Sequence, residues 1–105
     1  MLVTTTEQIV GKSYEILGLA QGSTIQCKNV GRDITQGLKQ LVGGELTSYT
    51  EMMDKARDIA LERMIRAAES MGADAVVSMR YTTSAIMQGA AEVLAYGTAV
   101  KWMDA

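Results

Sequence analysis

Histidine is absent from this chain, and its absence limits the chemistry that the sequence can support. The 105 residues include one cysteine, Cys27, with ten Lys and Arg against twelve Asp and Glu. Without histidine there is no Ser-His or Cys-His pair for nucleophilic catalysis. One thiol and no imidazole also cannot complete a tetrahedral soft-metal site within one subunit. We therefore expect a protein that is not an enzyme.

The thiol of Cys27 is the candidate metal ligand. Soft ions prefer thiolate ligands, and a symmetric ring of subunits would bring several copies of Cys27 around one heavy-metal ion. The alternative is that Cys27 is a small, partly buried apolar residue. The eight methionines fall mainly at core positions of the predicted elements, which favours a packing role for them.

The pair Gly43-Gly44, just ahead of a predicted helix, is the feature nearest to an anion site. Free N–H groups at a helix start attract anions, and Arg32 would add positive charge. However, neither phosphate-binding glycine motif is present, and Glu45 would repel a phosphate. The pair is better explained as a corner between two helices. An enzyme that uses Arg32, Asp33 or interface tyrosines is the remaining catalytic alternative.

Two further sets of charged residues have simple structural explanations. Asp54 and Asp58 lie on the charged side of the predicted long helix, where a solvated surface is expected. Arg80 and Glu92 lie within strand patterns, where they would either pair across a hairpin or line a channel between subunits. We favour the cross-strand pair.

The elements that must position these residues follow from hydrophobic periodicity. Residues 12–27 alternate as a strand, and Gly18 and Gly22 within it suggest a bend, a bulge or a close backbone contact. A short helix is predicted at 33–42, a long one from Ser48 to Gly72, and an antiparallel hairpin joined near Gln88-Gly89. The fold class is α/β of the α+β type, with an antiparallel sheet of three to four strands packed against one long and one short helix. Residues 1–105 form a single domain.

The predicted strands carry apolar residues on both faces. The pattern places Tyr14, Ile16 and Ala20 on one side of the first strand, with Leu17 and Leu19 on the other. In the hairpin it places Val77, Met79 and Tyr81 on one side. The expected core face of the long helix comprises Met53, Ala56, Ala60, Met64, Ala67 and Met71. One helical layer covers only one face of such a sheet, so we expect the chain to associate with itself.

Charge and hydropathy exclude two classes of partner. The formal net charge of −2 provides no basic surface for nucleic acid. The sequence shows neither a secretory signal nor eighteen consecutive apolar residues, so no membrane association is expected. We expect a soluble, cytoplasmic protein, and the single cysteine is compatible with a reducing compartment.

Several strings in this chain, taken in order, resemble the YbjQ-like family, often labelled "putative heavy-metal-binding" domains. They are GRD at 31–33, VGG at 42–44, ARDIA at 56–60, GADAVV at 72–77 and GTAV at 97–100. The resemblance covers nearly the whole chain. It implies a dodecin-like subunit that assembles as a homopentameric ring, and it brings no catalytic residues to carry over. Arg80 stands where the family commonly has acidic residues, and Cys27 stands where it has a small one.

These observations predict a homopentameric, non-enzymatic binding or scaffold protein. Its ligand, unknown from the sequence, is expected at subunit interfaces. The alternative is a soft heavy-metal or metalloid binding protein that uses Cys27 from several subunits.

Overall fold

One long helix lies across one face of a mixed β-sheet. The computed structural model describes residues 1–27, 44–87 and 90–104. Within them the chain forms, in order, β1 (Leu2–Val3), β2 (Tyr14–Cys27), α1 (Gly44–Ser70), β3 (Ala75–Met87) and β4 (Ala90–Trp102). The α+β class and the four-stranded sheet agree with the prediction. The short helix predicted at 33–42 lies outside the described residues.

The strand order in the sheet is β1-β3-β4-β2. Both β2 and β3 are antiparallel to β4, as the hairpin pattern predicts. The prediction of a wholly antiparallel sheet is wrong, because β1 pairs in parallel with the start of β3, Leu2 with Ala75 and Val3 with Val76. A two-residue strand carries no readable alternation, which is why the sequence did not reveal it.

A β-bulge in β2 changes which residues share a face. The register with β4 shifts between Ile16 and Gly18, so one extra residue reverses the alternation beyond this point. Ala20 is fully buried in the cluster beneath the helix, and Leu17 packs against the same cluster. The predicted grouping of Ala20 with Tyr14 and Ile16 is therefore wrong.

A second bulge, between Val77 and Arg80 in β3, has the same effect. Met79 packs beneath the helix, whereas Val77 packs with Ala75 and Val100 on the opposite side. Val77 and Met79 therefore do not share a face as predicted. The strand is also exposed beyond this bulge, since every residue from Arg80 to Met87 is exposed.

The helix packs on the sheet through a stripe of small residues around one methionine. Ala56, Ala60, Met64 and Ala68 are fully buried. Ala68 occupies the place predicted for Ala67, which is only half-buried, and Met71 is exposed. Small side chains allow helix and sheet backbones to approach closely.

The helix ends are partly as predicted. It begins at Gly44 instead of Ser48, so the positions of the predicted capping box lie inside the helix. Gly44 therefore belongs to the helix, while Gly43 lies outside the described residues. At the other end Gly72, with φ of 81°, follows the helix. Bonds from Gly72 N–H to Glu69 C=O (2.9 Å) and from Ala73 N–H to Ala68 C=O (3.1 Å) complete a Schellman cap.

Candidate functional site

The side of the sheet that faces away from α1, here called the open face, carries large exposed apolar side chains among polar ones and is largely uncovered. Ile16, Leu19 and Ile25 of β2 lie on it with exposed fractions of 70%, 61% and 57%. Leu94 and Tyr96 of β4 lie beside them, opposite Ser23 and Gln21. Singly exposed apolar residues are common, but neighbouring ones on one sheet face indicate an interaction surface.

The N-terminal segment, residues 4–13, covers one end of the open face. Ile9 packs there with Tyr14 and Trp102 against Val77 and Val100. Three backbone bonds hold the segment to the bulge of β3: Thr4 N–H to Val76 C=O (2.9 Å), Ser78 N–H to Thr6 C=O (3.0 Å) and Met79 N–H to Thr4 C=O (3.0 Å). The rest of the open face has no such cover from the described residues.

The side chain of Arg80 also holds this segment in place. Its Nη1 donates to the Thr5 carbonyl at 3.0 Å and to the Met79 carbonyl at 2.8 Å. The sequence prediction paired Arg80 with Glu92, and this is wrong: the bulge places Arg80 opposite Tyr96, while Ser84 lies opposite Glu92. Arg80 therefore holds a loop and does not form a cross-strand ion pair with Glu92.

A pocket of about 220 Å³ lies where the N-terminal segment meets the open face. Its lining combines polar groups with two aliphatic side chains: Glu7, Gln8, Tyr14, Ile16, Val77, Ser78 and Thr98. The bulge that re-aims Ser78 also gives it a φ of 54°, a left-handed conformation that is uncommon for serine. Bulges often redirect side chains next to binding sites.

The pocket offers hydrogen-bonding groups with little positive charge. Tyr14 Oη donates to the Glu7 carbonyl, so its oxygen can still accept a bond. Glu7, Gln8, Ser78 and Thr98 add a carboxylate, an amide and two hydroxyls at the rim. Because no lining residue carries positive charge, this set suits a small neutral or cationic polar molecule better than an anion.

Cys27 is the last residue of β2, and its thiol is free and exposed. It lies opposite Ala90, at the far end of the sheet from the pocket, and the structure does not bring the two together. Among residues 1–27, 44–87 and 90–104, no three His, Cys, Asp or Glu side chains lie close enough to hold a metal ion. Within these described residues, Cys27 therefore has no partner ligands for a metal site.

The remaining predicted site residues do not converge. Arg32 and Asp33 lie outside the described residues. Asp54 pairs with Arg57 on the exposed side of α1, as expected for a solvated surface. Asp58 instead acts on Tyr81 of β3: burial raises the pKa of the Tyr81 hydroxyl above 10.0, the Asp58 charge raises it further, and Arg57 opposes the rise.

Sequence reasoning missed the residues that line the pocket. Glu7 and Gln8 belong to no motif, Thr98 lies in the GTAV string without being marked as a site residue, and the proximity of the three depends on how the N-terminal segment folds back. Ser78 was the one available signal, because it interrupts the apolar run AVVSM. A hydroxyl residue at that point of a buried strand indicates either a bulge or a site, and here it marks both.

The described part of the chain contains no helix with the length and apolar character needed to cross a bilayer.

Related sequences cover almost the whole chain. A UPF0145 protein of Clostridium novyi is 61% identical over 101 residues, which is 96% of this chain and 98% of the relative. UPF0145 proteins of Methanosarcina acetivorans and Thermotoga maritima are 56% and 57% identical, covering 99% and 96% of this chain and the same shares of their own.

A solved structure has the same fold. A protein of unknown function of the DUF74 family, from Pediococcus pentosaceus, superposes with a TM-score of 0.70 and covers 98% of both chains. Its sequence identity is 17%, so the likeness concerns the fold alone. The family model described as "Putative heavy-metal-binding" matches residues 1–103, and the chain therefore belongs to this YbjQ family.

Proposed function

We propose that this protein is a non-enzymatic binding or scaffold protein that works as a closed homo-oligomer, with its ligand at the boundaries between subunits. The observation that carries the proposal is the open face, where Ile16, Leu19 and Ile25 are more than half exposed. Other copies of the chain are the simplest cover for such a surface. The resemblance to the YbjQ-like family implies a pentamer.

The size of the exposed surface supports the same proposal. The accessible area is 6786 Å², whereas a compact monomer of 11.3 kDa is expected to expose about 5,700 Å². The surplus of roughly 1,000 Å² is close to the ~800 Å² that each partner buries in a stable interface. Such a surplus is typical of a subunit.

The pocket supports a binding role at these boundaries. It lies on the open face, with Ile16 in its wall and the exposed part of the sheet beyond. Neighbouring copies that enclose this face would close the open side of the pocket and shield the ligand from water. The ligand class that fits the lining is a small neutral or cationic molecule with hydrogen-bonding groups.

The proposal is tested by adding a charge to the open face. Leu19→Glu places a carboxylate where a neighbour would cover it, so light scattering is expected to give a mass close to 11.3 kDa at micromolar concentration. Ser70→Glu adds the same charge at the exposed end of α1, on the other side of the sheet, and is expected to keep the oligomeric mass. A wild-type chain that is itself monomeric would reject the proposal.

The second candidate is a carrier of a soft metal or metalloid ion. It is favoured by the exposed thiol of Cys27 and by the family description "Putative heavy-metal-binding". A ring would present one Cys27 from every subunit at the same height around its axis. Uptake of Cd²⁺ in a ratio of one ion per ring, lost in Cys27→Ser and kept in Met87→Leu, would support it. Uptake unchanged in Cys27→Ser would reject the role of the thiol.

A further inference from the structure

We propose that adjacent copies join through strand edges: the outer edge of β2 in one copy pairs in parallel with the outer edge of β3 in the next. The inference rests on the homo-oligomer proposed above and names the surfaces that form it. The joined strands would make one sheet that continues from subunit to subunit.

Both edges are long and unpaired in the described residues. β2 pairs with β4 along Tyr14–Cys27, and no strand within residues 1–27, 44–87 and 90–104 pairs with its outer side. β3 is covered by β1 only at Ala75 and Val76, so its outer edge is free from Arg80 to Met87. Free edges of this length are ready templates for another strand.

Neither strand carries the usual protection against pairing among its own residues. Proteins block free edges with proline, lysine or other charges. This chain has no proline, β2 carries Glu15 as its one charged residue, and the run from Tyr81 to Met87 has none. Such edges are suited to pairing with another chain.

Backbone directions in β4 show which groups of β2 point outward. Val100 C=O accepts from Asp74 N–H on the β3 side (2.8 Å), and Met103 N–H donates to Ser13 C=O on the β2 side (3.0 Å). The N–H and C=O groups of even-numbered β4 residues therefore point toward β3, and those of odd-numbered β4 residues point toward β2. The β2 residues that lie opposite even-numbered β4 residues must therefore turn their N–H and C=O groups away from β4, toward the free edge.

Those outward residues of β2 are Gln21, Ser23 and Ile25, opposite Tyr96, Leu94 and Glu92. An independent contact agrees with this assignment. Arg63 of α1 reaches the Ser23 carbonyl with Nη1 at 2.7 Å, which requires that carbonyl to face away from β4. The carbonyl keeps a second lone pair for another donor.

The outward residues of β3 are Tyr81, Thr83 and Ala85, because they lie opposite odd-numbered residues of β4. Their side chains are on the helix face, whereas the side chains of the outward residues of β2 are on the open face. On the two edges, the residues whose backbone groups point outward therefore have their side chains on opposite faces of the sheet.

Because of this difference, only parallel pairing of β2 with β3 keeps the helices of both copies on the same side of the sheet. In an antiparallel pair, outward residues lie opposite each other, with side chains on the same face. Ser23 would then meet Thr83, and the open face of one copy would continue into the helix face of the next. In a parallel pair, Ser23 lies opposite an inward residue such as Thr82, whose side chain is on the open face. All helices then lie on one side and all open faces on the other, and the open faces enclose the interior when the ring closes with the helices outside.

Pairing β2 with β3 also uses both edges through one repeated contact. A β2–β2 pair would keep the faces aligned too, but it would leave every β3 edge free. A contact between two different surfaces generates a closed ring when its rotation closes. Parallel β2–β3 pairing is therefore the arrangement that leaves no free edge.

Disulfide trapping in a Cys27→Ser chain tests the pairing. One cysteine is placed on β2, at Gln21, Ser23 or Ile25, and one on the open-face side of β3, by Thr82→Cys or Ser84→Cys. The matched controls are Thr83→Cys and Ala85→Cys, with side chains on the helix face. Within one copy β4 separates the two sites by about 10 Å, beyond the ~7 Å limit for a disulfide, so each bridge must join two copies.

The expected result is a ladder of covalent multimers up to the full ring on denaturing gels, with Thr82→Cys or Ser84→Cys and not with the controls. Bridges with the controls instead would overturn parallel pairing. Dimers from a single β2 cysteine would show β2–β2 pairing, and an oligomer without bridges in any combination would show assembly through other surfaces. Native mass spectrometry of the same samples separates these outcomes from a monomer, which would reject the proposed function itself.

Discussion

At the scale of single residues, the fold depends on small side chains where the helix meets the sheet. A Cβ added at Gly22 of β2 would lie 2.6 Å from the backbone carbon of Arg63, and closer still to the nitrogen of Met64. These atoms are helix backbone and cannot rotate away. Together with Ala56, Ala60 and Ala68, Gly22 sets the distance between the two layers.

Gly22→Ala is therefore expected to destabilise the protein by about 1–3 kcal/mol, the usual cost of overpacking a rigid contact. Glu69→Ala, on the exposed side of α1, should change the free energy of unfolding by less than ~0.5 kcal/mol. Denaturant unfolding of both variants measures the difference. Equal stability of Gly22→Ala and the wild type would show that the helix is not in close contact with β2.

Tyr81 provides a residue-scale prediction on pH. Its pKa in the folded protein is raised above 10.0, chiefly by burial and then by Asp58, so the folded state binds the phenolic proton more tightly than the unfolded chain. The resulting stabilisation is complete below pH 10 and is lost as the pH rises through the folded pKa.

The Asp58→Asn variant removes the charge that contributes to this shift, so the Tyr81 titration should move to lower pH. Tyrosinate absorbance, taken as the difference between each protein and its Tyr81→Phe counterpart, isolates this one side chain. Lys55→Gln on the same helix serves as the control and should leave the titration unchanged. An unaltered titration in Asp58→Asn would show that Asp58 does not contribute to the raised pKa of Tyr81.

At the scale of elements, the bulge of β3 and the N-terminal segment form one unit. The bulge turns the Ser78 and Met79 amides toward the carbonyls of Thr6 and Thr4, and Arg80 then fastens Thr5. Gly97 makes room beneath the bulge: a Cβ there would lie 2.5 Å from Val76 Cγ1 and 3.1 Å from the Val77 carbonyl. This unit builds the wall of the pocket.

Arg80→Met removes the side-chain contact to Thr5 while keeping an apolar stem. We expect faster hydrogen exchange at the Ser78 and Met79 amides, because the segment that accepts their bonds opens more often. Arg66→Met removes the exposed helix pair between Arg66 and Glu62 and should leave those two amides unchanged. Equal exchange in both variants would mean that Arg80 does not hold the segment.

The sequence predicted elements well where the periodicity was long and continuous. The alternation of 12–27 and of the hairpin led to β2, β3 and β4, and Gly72 marked the end of α1. Face assignments failed at Ala20 and Met79, because one bulge residue reverses every later position while leaving the local pattern intact. β1 and the pocket could not be predicted, since both depend on contacts between residues about 70 positions apart.

At the scale of the whole molecule, the chain is elongated. Its radius of gyration is 17.2 Å, compared with about 13 Å expected for a compact domain of this length. The long dimension of 57 Å against a thickness of 15 Å follows the extended hairpin, whose β3 strand continues past its last cover at the bulge. We explain the elongated shape, the exposed open face and the free edges by one cause, which is that several copies complete the core together.

Native mass spectrometry of the unmodified protein at micromolar concentration tests this claim most directly. The account predicts a single closed species whose mass is a whole multiple of the 11.3 kDa chain, five copies if the family resemblance extends to stoichiometry, together with any ligand that it retains. A spectrum dominated by the 11.3 kDa monomer would contradict it, because the exposed apolar side chains of the open face would then remain in contact with water.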